Sequence, residues 1–190
     1  YKKISSDSRH RLLLRQVGIE TVNLYSAFVA LTLLLMAPGG YIVAIIPRSF
    51  CNGPYYRPFR NMLLELSAIR HIHLFESRNT AFKDDGVLQE NVIVLLERGG
   101  KRGEVHVTTS TDDRFSNFAV HVHPFERIVL PGDRENFIHI RTSSDLSTIQ
   151  LSAATRYTLD DLGIKVSTGP VVDFRLKEYL RNMPGADTAP

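Results

Sequence analysis

Two pairs of histidines have a spacing that could do chemistry. His71 and His73, like His121 and His123, are separated by one residue. On a β-strand both rings of such a pair face the same side, as two ligands of one metal ion would. No carboxylate or cysteine ligand set accompanies either pair, so we predict no metal site.

A second candidate is an aromatic residue in polar surroundings. Phe82 has Arg78 and Asn79 before it and Lys83 and Asp84 after it. This is a poor position for a core side chain. Two interpretations stay open: the ring contacts a flat ligand, or it folds back onto the protein as an ordinary loop aromatic.

Basic side chains are concentrated near the start of the chain. They could contact phosphate groups, which contribute affinity without sequence information, and solvated surface charge is an equally good interpretation. Arg48 is better placed, because it follows a predicted strand and ligands of open α/β sheets bind beyond the carboxyl ends of strands. The basic residues near the start are Lys2, Lys3, Arg9, Arg11 and Arg15.

The first hundred residues alternate helix and strand patterns. Pro54–Leu66 predicts an amphipathic helix with Tyr55 on its apolar side. The short apolar run Tyr41–Ile46 predicts a parallel strand that is buried on both faces. Ile69–Phe75 and Val87–Leu96 predict further strands. This order is typical of the later half of a doubly wound α/β sheet.

Beyond residue 100 the pattern changes to short strand-like pieces between polar turns. We interpret residues 101–155 as an antiparallel β-rich extension and residues 156–190 as a third region. The strand-like pieces are Glu104–Thr109, Phe118–His123, Arg127–Leu130 and Phe137–Ile140.

Composition excludes several classes of protein. With 190 residues, 43% of them hydrophobic, and a net charge of +3, the chain is neither disordered nor a basic nucleic-acid arm. The apolar stretch Ala27–Ala37 is shorter than the roughly twenty residues that span a membrane. A single cysteine fits a reducing cytoplasm. The chain opens at Tyr1 without an initiator Met, so we expect a fragment.

Several segments, taken in order, resemble one family. Residues 23–28, Asn-Leu-Tyr-Ser-Ala-Phe, open a helix, and residues 37–47, Ala-Pro-Gly-Gly followed by an apolar strand, come after it. This arrangement resembles the gamma class of amino-methyltransferases of restriction–modification systems. Tyr1 is similar to the last residue of the family's Asn-Pro-Pro-Tyr motif. Further segments that resemble the family are residues 48–57, 82–91 and 166–175.

The resemblance implies a fold and a set of roles. The fold is a partial Rossmann-like methyltransferase sheet, residues 1–100, with 156–190 as the start of the target-recognition region. Tyr1 and Phe82 would contact an adenine extruded from DNA, and Phe28 would lie near the adenine ring of S-adenosylmethionine. Phe28 equally suits plain helix packing. Lys2, Lys3 and Arg48 would contact DNA.

Cys51 invites comparison with cytosine-C5 methyltransferases, whose nucleophilic cysteine follows a proline. Here it follows Phe50. Transfer to an exocyclic amine needs no nucleophile because the amine attacks directly. We interpret Cys51 as structural.

We therefore predict a fragment of a site-specific DNA adenine-N6 methyltransferase that is inactive alone. Its expected partners are double-stranded DNA, the remainder of the methyltransferase chain and, through exposed sheet edges, other copies of itself. One alternative is a non-enzymatic DNA-binding or specificity module, which the modest charge disfavours. Another is a methyltransferase of small molecules or proteins, which the segment Val166–Arg175 disfavours.

Overall fold

The computed structural model describes residues 3–75, 90–142, 157, 159 and 161–165. The chain forms two compact units, Tyr1–Ser144 and Asp145–Pro190. In the second unit the described residues form a turn, closed by the amide of Ile164 donating to the carbonyl of Leu159 at 2.8 Å. The three-part division at residues 100 and 155 stays a prediction.

The sequence predicts that Ser8 caps a first helix, that Gly18 stops it, and that Ala37–Gly40 ends the second, and the structure has all three. The Ser8 hydroxyl accepts from the Arg11 amide at 3.3 Å to cap the first helix, and Gly18 adopts a φ of +77° after its end. The second helix ends before Pro38 and the turn at Gly39. The helices are α1 (Arg9–Gln16), α2 (Leu24–Leu35), α3 (Arg57–Leu66) and α4 (Phe125–Ile128).

Five strands form one mixed sheet in the order β1-β3-β2-β4-β5. β3 is antiparallel to both β1 and β2, so β1 and β2 run in the same direction. β4 is parallel to β2, and β5 is antiparallel to β4. The strands are β1 (Tyr41–Pro47), β2 (Ser67–Phe75), β3 (Asn91–Arg98), β4 (Glu104–Ser110) and β5 (Ala119–Pro124). The predicted α/β fold with a β-rich extension is confirmed.

The shared direction of β1, β2 and β4 brings their carboxyl ends to one edge of the sheet. Arg48 follows β1 at this edge, and β2 ends there at Phe75. The segment that carries Phe82 leaves from the same edge, but Phe82 itself lies outside the described residues. This is the edge at which open α/β sheets bind ligands.

One face of the sheet is covered by helices. Residues 42 and 46 of β1 lie on this face, in register with Leu96 and Val92 of β3. They belong to one core that also contains Leu33 of α2, Leu63 of α3 and Ile128 of α4. Full burial of such side chains stabilises the fold by about 1.5–3 kcal/mol each.

The other face of β1 corrects the sequence-based expectation. Tyr41–Ile46 does form a strand, but burial alternates along it, and Tyr41, Val43 and Ile45 are 58%, 68% and 60% exposed. The prediction of burial on both faces is wrong for the described structure. An apolar run resembles a doubly buried strand in sequence even when its covering layer is absent from the residues considered.

The extension also differs from its prediction in three places. β4 and β5 form the expected antiparallel pair, but β4 joins β2 in parallel. Arg127–Leu130 is not a strand, because Phe125–Ile128 forms the short helix α4. Phe137–Ile140 is extended without sheet pairing, and its amides donate to the carbonyls of Cys51 and Ile128 at 2.9 and 2.7 Å. Alternating apolar residues predict extended chain but not which partner its amides find.

Arg60 joins this extended segment to the loop after β1. Its side chain is fully buried. It donates to the carbonyls of Phe50, Gly53 and Glu135 at 2.9, 2.8 and 2.9 Å. Its guanidinium carbon lies 4.9 Å from the centre of the Phe137 ring. Burial lowers the pKa of Arg60, and the nearby Glu135 carboxylate acts in the opposite direction.

A second polar connection lies between β2 and β4. The Thr108 hydroxyl is 2.6 Å from Nε2 of His71 and 2.8 Å from Nδ1 of His73. Nε2 of His73 is 3.0 Å from the Ser110 hydroxyl. Burial lowers the pKa of His71 and of His73, so both rings are held neutral. These bonds hold the parallel register of the two strands.

We predict that Arg60→Met lowers the free energy of unfolding by about 2–4 kcal/mol, because three carbonyl groups lose a charged donor. Chemical denaturation of the purified protein measures this. Arg57 is the matched control: it is half-exposed and 3.2 Å from the same Glu135 carboxylate. Arg57→Met should change the value by less than about 1 kcal/mol. Equal effects of the two substitutions would contradict the anchoring role of Arg60.

We also predict that acid destabilises the β2–β4 connection. The pKa of His73 is about 6.5 in the unfolded chain and lower in the folded protein. The unfolded state therefore binds more protons, and the free energy of unfolding falls as the pH drops below that value. Above it, the contribution is constant. The slope in this range should be smaller in His73→Gln, and an unchanged slope would show that His73 is not responsible.

Candidate functional site

The described start of the chain is held against the beginning of α2. Lys3 forms an antiparallel bridge with Asn23, and the Ile4 amide donates to the Val22 carbonyl at 2.9 Å. Lys3 is exposed and Ile4 is buried. The predicted site residues Tyr1 and Lys2 come directly before this bridge and lie outside the described residues.

A cleft of about 300 Å³ opens beside the bridge. Tyr55 lies at its rim with 77% of its surface exposed. Lys3 contributes a cationic side chain, and the remaining lining is both polar and apolar. The cleft is lined by Lys3, Ile4, Ser6, Arg11, Val22, Asn23, Tyr55 and Tyr56.

The floor of the cleft is held by a buried hydrogen bond. Nδ2 of Asn23 donates to the hydroxyl of Tyr56 at 2.6 Å. The Tyr25 ring lies 5.8 Å from the Tyr56 ring and 6.5 Å, edge-on, from the Phe59 ring. Asn23 of the Asn-Leu-Tyr segment therefore joins the start of α2 to the start of α3. Sequence reasoning used this asparagine as part of a motif but missed its contact.

The structure corrects the predicted position of Tyr55. The helical pattern predicts it on the apolar side of Pro54–Leu66, but it is exposed and Tyr56 is buried. Pro54–Tyr56 forms a 3-10 turn and the α-helix starts only at Arg57. A 3-10 turn has three residues per turn rather than 3.6, so the side of the helix predicted for this position is wrong.

An apolar groove between α1 and α2 adjoins the cleft, and Ile4 lines both. Phe28 is 65% exposed and lies in this groove, which has a volume of about 440 Å³. Phe28 is therefore not covered by the core of the described residues, and its predicted role stays a prediction. The groove is lined by Ile4, His10, Leu13, Leu14, Gln16, Val17, Leu24, Ala27, Phe28 and Leu31.

Two of the basic residues near the start, Arg11 and Arg15, are engaged within the protein. Arg11 and Arg15 both donate to the Glu20 carboxylate, the latter at 2.8 Å. The Arg15 hydrogen bond, offset in part by burial and aided by Arg11, lowers the pKa of Glu20. Glu20 offsets one of the two arginine charges, so the cleft is lined by Lys3 and by Arg11 of a group that keeps a net positive charge.

Arg48 lies at the expected edge of the sheet but has a carboxylate beside it. Its Nη1 is 3.1 Å from Oε2 of Glu90, and its amide donates to the Glu90 carbonyl at 2.7 Å. The side chain is 37% exposed. The loop after β1 is thus fixed to the residue before β3. Its predicted contact with DNA stays a prediction.

Cys51 is buried, and burial raises the pKa of its thiol to about 12. It is therefore a thiol rather than a reactive thiolate, which fits the structural role predicted for it. In the described part of the chain, no three or more histidine, cysteine or carboxylate side chains are grouped so that they could hold a metal ion.

Comparison with known proteins finds a similar family and similar proteins. Residues 4–82 match the model of the Eco57I restriction-modification methylase family. The whole chain is 60% identical over 190 residues to the type II methyltransferase M.BsuBI of Bacillus subtilis. The chain is therefore similar to the restriction-modification methylases.

The chain is shorter than these relatives. It spans 38% of M.BsuBI. It is also 47% identical over 182 residues to the type II methyltransferase M.PstI of Providencia stuartii, covering 95% of this chain and 36% of that protein. The chain therefore spans less than two fifths of either relative.

Solved structures support the fold. The type IIG restriction endonuclease BpuSI superposes with a TM-score of 0.52 at 16% identity, over 76% of this chain and 19% of that one. A chain of a type I restriction–modification system gives 0.51 at 11% identity, over 77% of this chain and 38% of that one. At these identities the likeness concerns the fold alone, and it confirms the predicted partial Rossmann-like sheet. Within the described residues, every helix is too short or too polar to span a membrane.

We predict that Tyr56→Phe lowers the free energy of unfolding by about 1 kcal/mol, because it removes the hydrogen bond from Asn23. Tyr55 offers an adjacent control with the same chemical change. Tyr55→Phe should have an effect within about 0.5 kcal/mol, since the side chain is exposed. Thermal unfolding of both variants tests this, and similar losses in both would contradict it.

Proposed function

We propose that this chain is part of a DNA methyltransferase that transfers a methyl group from S-adenosylmethionine to adenine N6 in a restriction–modification system. The observation that carries the proposal is the bridge from Lys3 to Asn23. It sets the residues that follow Tyr1 beside the helix whose Phe28 lies exposed in a groove. The names of the relatives, both type II methyltransferases, support the class of reaction.

The target base must leave the duplex before its amino group can react. Tyr1 and Phe82 are the aromatic residues that we assign to hold it. Stacking of a base on an aromatic side chain contributes about 1–3 kcal/mol. The amine also needs hydrogen-bond acceptors, which the family takes from the asparagine and proline of the motif that ends at the position of Tyr1. We therefore propose that the 190-residue chain alone does not transfer a methyl group.

Phe28 fits a planar ligand. Its exposed ring faces an apolar groove, and an adenine ring presents a flat, weakly polar surface of the kind that an aromatic face binds. S-adenosylmethionine supplies the methyl group when it is bound. The part played by Phe28 is to hold and orient one end of that molecule and to exclude water from its ring.

Lys2, Lys3 and Arg48 are the residues that we assign to the DNA backbone. Lys3 is exposed beside the cleft. Arg48 forms an ion pair with Glu90, so its contribution to phosphate binding should be weaker than that of Lys3. We place the protein in the cytoplasm with its DNA substrate.

The proposal is tested on a single chain that joins these 190 residues to the part of M.BsuBI that they do not cover. The assay is transfer of labelled methyl groups to DNA, with the product nucleoside identified. We expect N6-methyladenine. Binding of DNA with a steep salt dependence but without transfer would favour the alternative, a non-enzymatic specificity module.

Two variants of the fusion separate the assigned roles. Phe82→Ala should lower kcat/KM for DNA by about 5- to 150-fold, the equivalent of 1–3 kcal/mol, with little change in KM for the methyl donor. Phe28→Ala should raise KM for the methyl donor instead. Leu35, 78% exposed at the other end of α2, is the control, and Leu35→Ala should leave both constants unchanged. Loss of DNA affinity alone in Phe28→Ala would contradict its assignment.

A further inference from the structure

The cleft beside the bridge of Lys3 and Asn23 has a cationic lining that contains no carboxylate. Lys3 and Arg11 carry the charges, and the side chains of Ser6 and Tyr55 add hydroxyl groups. Among the described residues, no aspartate or glutamate lines it. Positive charge together with neutral hydroxyl donors is the composition of a site that binds an anion.

Arg11 lines this cleft and has a donor that the described residues leave unpaired. Its side chain is 9% exposed, and its Nη2 donates to the carboxylate of Glu20. Its Nε is buried and has no hydrogen-bond partner in the described part of the chain. Buried donors are normally satisfied, because an unpaired one destabilises the folded state. An acceptor that enters the cleft would satisfy the Nε group.

The charge around the cleft also favours an anion. Glu20 binds both Arg11 and Arg15, so these three side chains keep one positive charge. The hydrogen bond from Arg15 lowers the pKa of Glu20, which keeps the carboxylate ionised and holds the Arg11 guanidinium in place. Lys3, which is exposed, adds the second positive charge.

The size and the remaining lining of the cleft fit a nucleotide better than a bare ion. Its volume of about 300 Å³ is at the lower end of ligand pockets. Ile4 and Val22 supply apolar contacts, and Tyr55 lies 77% exposed at the rim. Proteins bind unpaired nucleic-acid strands with this combination of positive charge along the backbone and an aromatic ring beside it.

We propose that this cleft binds one phosphodiester of the DNA strand that carries the target base, with Arg11 and Lys3 as its ligands and Tyr55 against the adjoining sugar. The inference rests on the proposed function and adds to it a defined site with a buried ligand. Lys3 follows Tyr1 by two residues, which span at most about 7 Å. A phosphate bound at Lys3 therefore lies within a few nucleotides of a base held at Tyr1.

The test is a scan of the DNA backbone with charge-neutral linkages, on the fusion with the uncovered part of M.BsuBI. Single methylphosphonate linkages replace successive phosphates across the recognition site, and fluorescence anisotropy gives the Kd of each duplex. Arg11→Gln is compared with Arg15→Gln, which removes the same charge beside the same Glu20 carboxylate but outside the lining of the cleft. Because Arg11 is buried, Lys3→Gln at an exposed position provides a second variant that leaves the core intact.

We expect one linkage whose neutralisation weakens binding by about tenfold in the parent fusion and by about threefold or less in Arg11→Gln and in Lys3→Gln. In both variants the slope of log Kd against log salt concentration should fall by about one. Arg15→Gln should match the parent in both measurements. The proposal is overturned if every linkage has the same effect in Arg11→Gln and Lys3→Gln as in the parent.

Further results distinguish the source of the phosphate and separate this inference from the proposed function. Displacement of DNA by inorganic phosphate beyond that by chloride at equal ionic strength, without a linkage that depends on Arg11, would replace DNA by a free phosphate as the ligand and overturn the proposal. A fusion that methylates adenine while no linkage depends on Arg11 or Lys3 leaves the proposed function standing and removes this inference. A linkage that depends on both residues, in a fusion that transfers no methyl group, supports the site and removes the proposed activity.

Discussion

The position of β3 between two strands that run opposite to it is the constraint on which the rest of the fold depends. β3 pairs along its length with β1 on one side and β2 on the other. This satisfies the backbone amides and carbonyls on both of its edges, and it makes β1 and β2 parallel without a direct bond between them. Their carboxyl ends meet at one edge as a result, and Arg48 and Phe75 lie at that edge.

The loops at that edge are held by buried polar contacts rather than by sheet pairing. Arg60 binds three carbonyl groups, two of them in the loop after β1. Glu90 holds the same loop from the side of β3. A charged donor that serves several carbonyls fixes irregular chain that has no ladder of its own. The extended segment at 137–140 belongs to this structure because Arg60 and the carbonyl of Cys51 hold it there.

The local sequence pattern predicts most of the helices and strands. It does not predict which elements pack or pair with one another. Ser8, Gly18 and the proline and glycines after α2 mark ends that the structure confirms, because capping and positive φ act within a few residues. The parallel joining of β2 and β4 and the burial of Arg60 depend on residues far apart in the sequence. No periodicity in the chain carries that information.

The candidate site was likewise predictable from the sequence only in part. The exposed ring of Phe28 fits the role implied by the family resemblance, whereas its helical spacing pointed equally to the core. Tyr55 was assigned to the wrong side because a 3-10 turn precedes the helix. The contact of Asn23 with Tyr56 joins residues 33 positions apart, so it could not be found from the motif alone. The roles of Tyr1, Lys2 and Phe82 stay predictions.

The hydroxyls of Thr108 and Ser110 determine where the protons of the two histidines of β2 lie. The Ser110 hydroxyl donates to the carbonyl of Asp112 at 2.9 Å, so it must accept from Nε2 of His73. The neutral ring of His73 then has a bare Nδ1, to which Thr108 donates, and Thr108 in turn accepts from Nε2 of His71. The backbone carbonyl of Asp112 thereby sets the tautomers of two imidazoles. Each group in this chain donates to the next, from His71 to Thr108, to His73, to Ser110 and to the carbonyl.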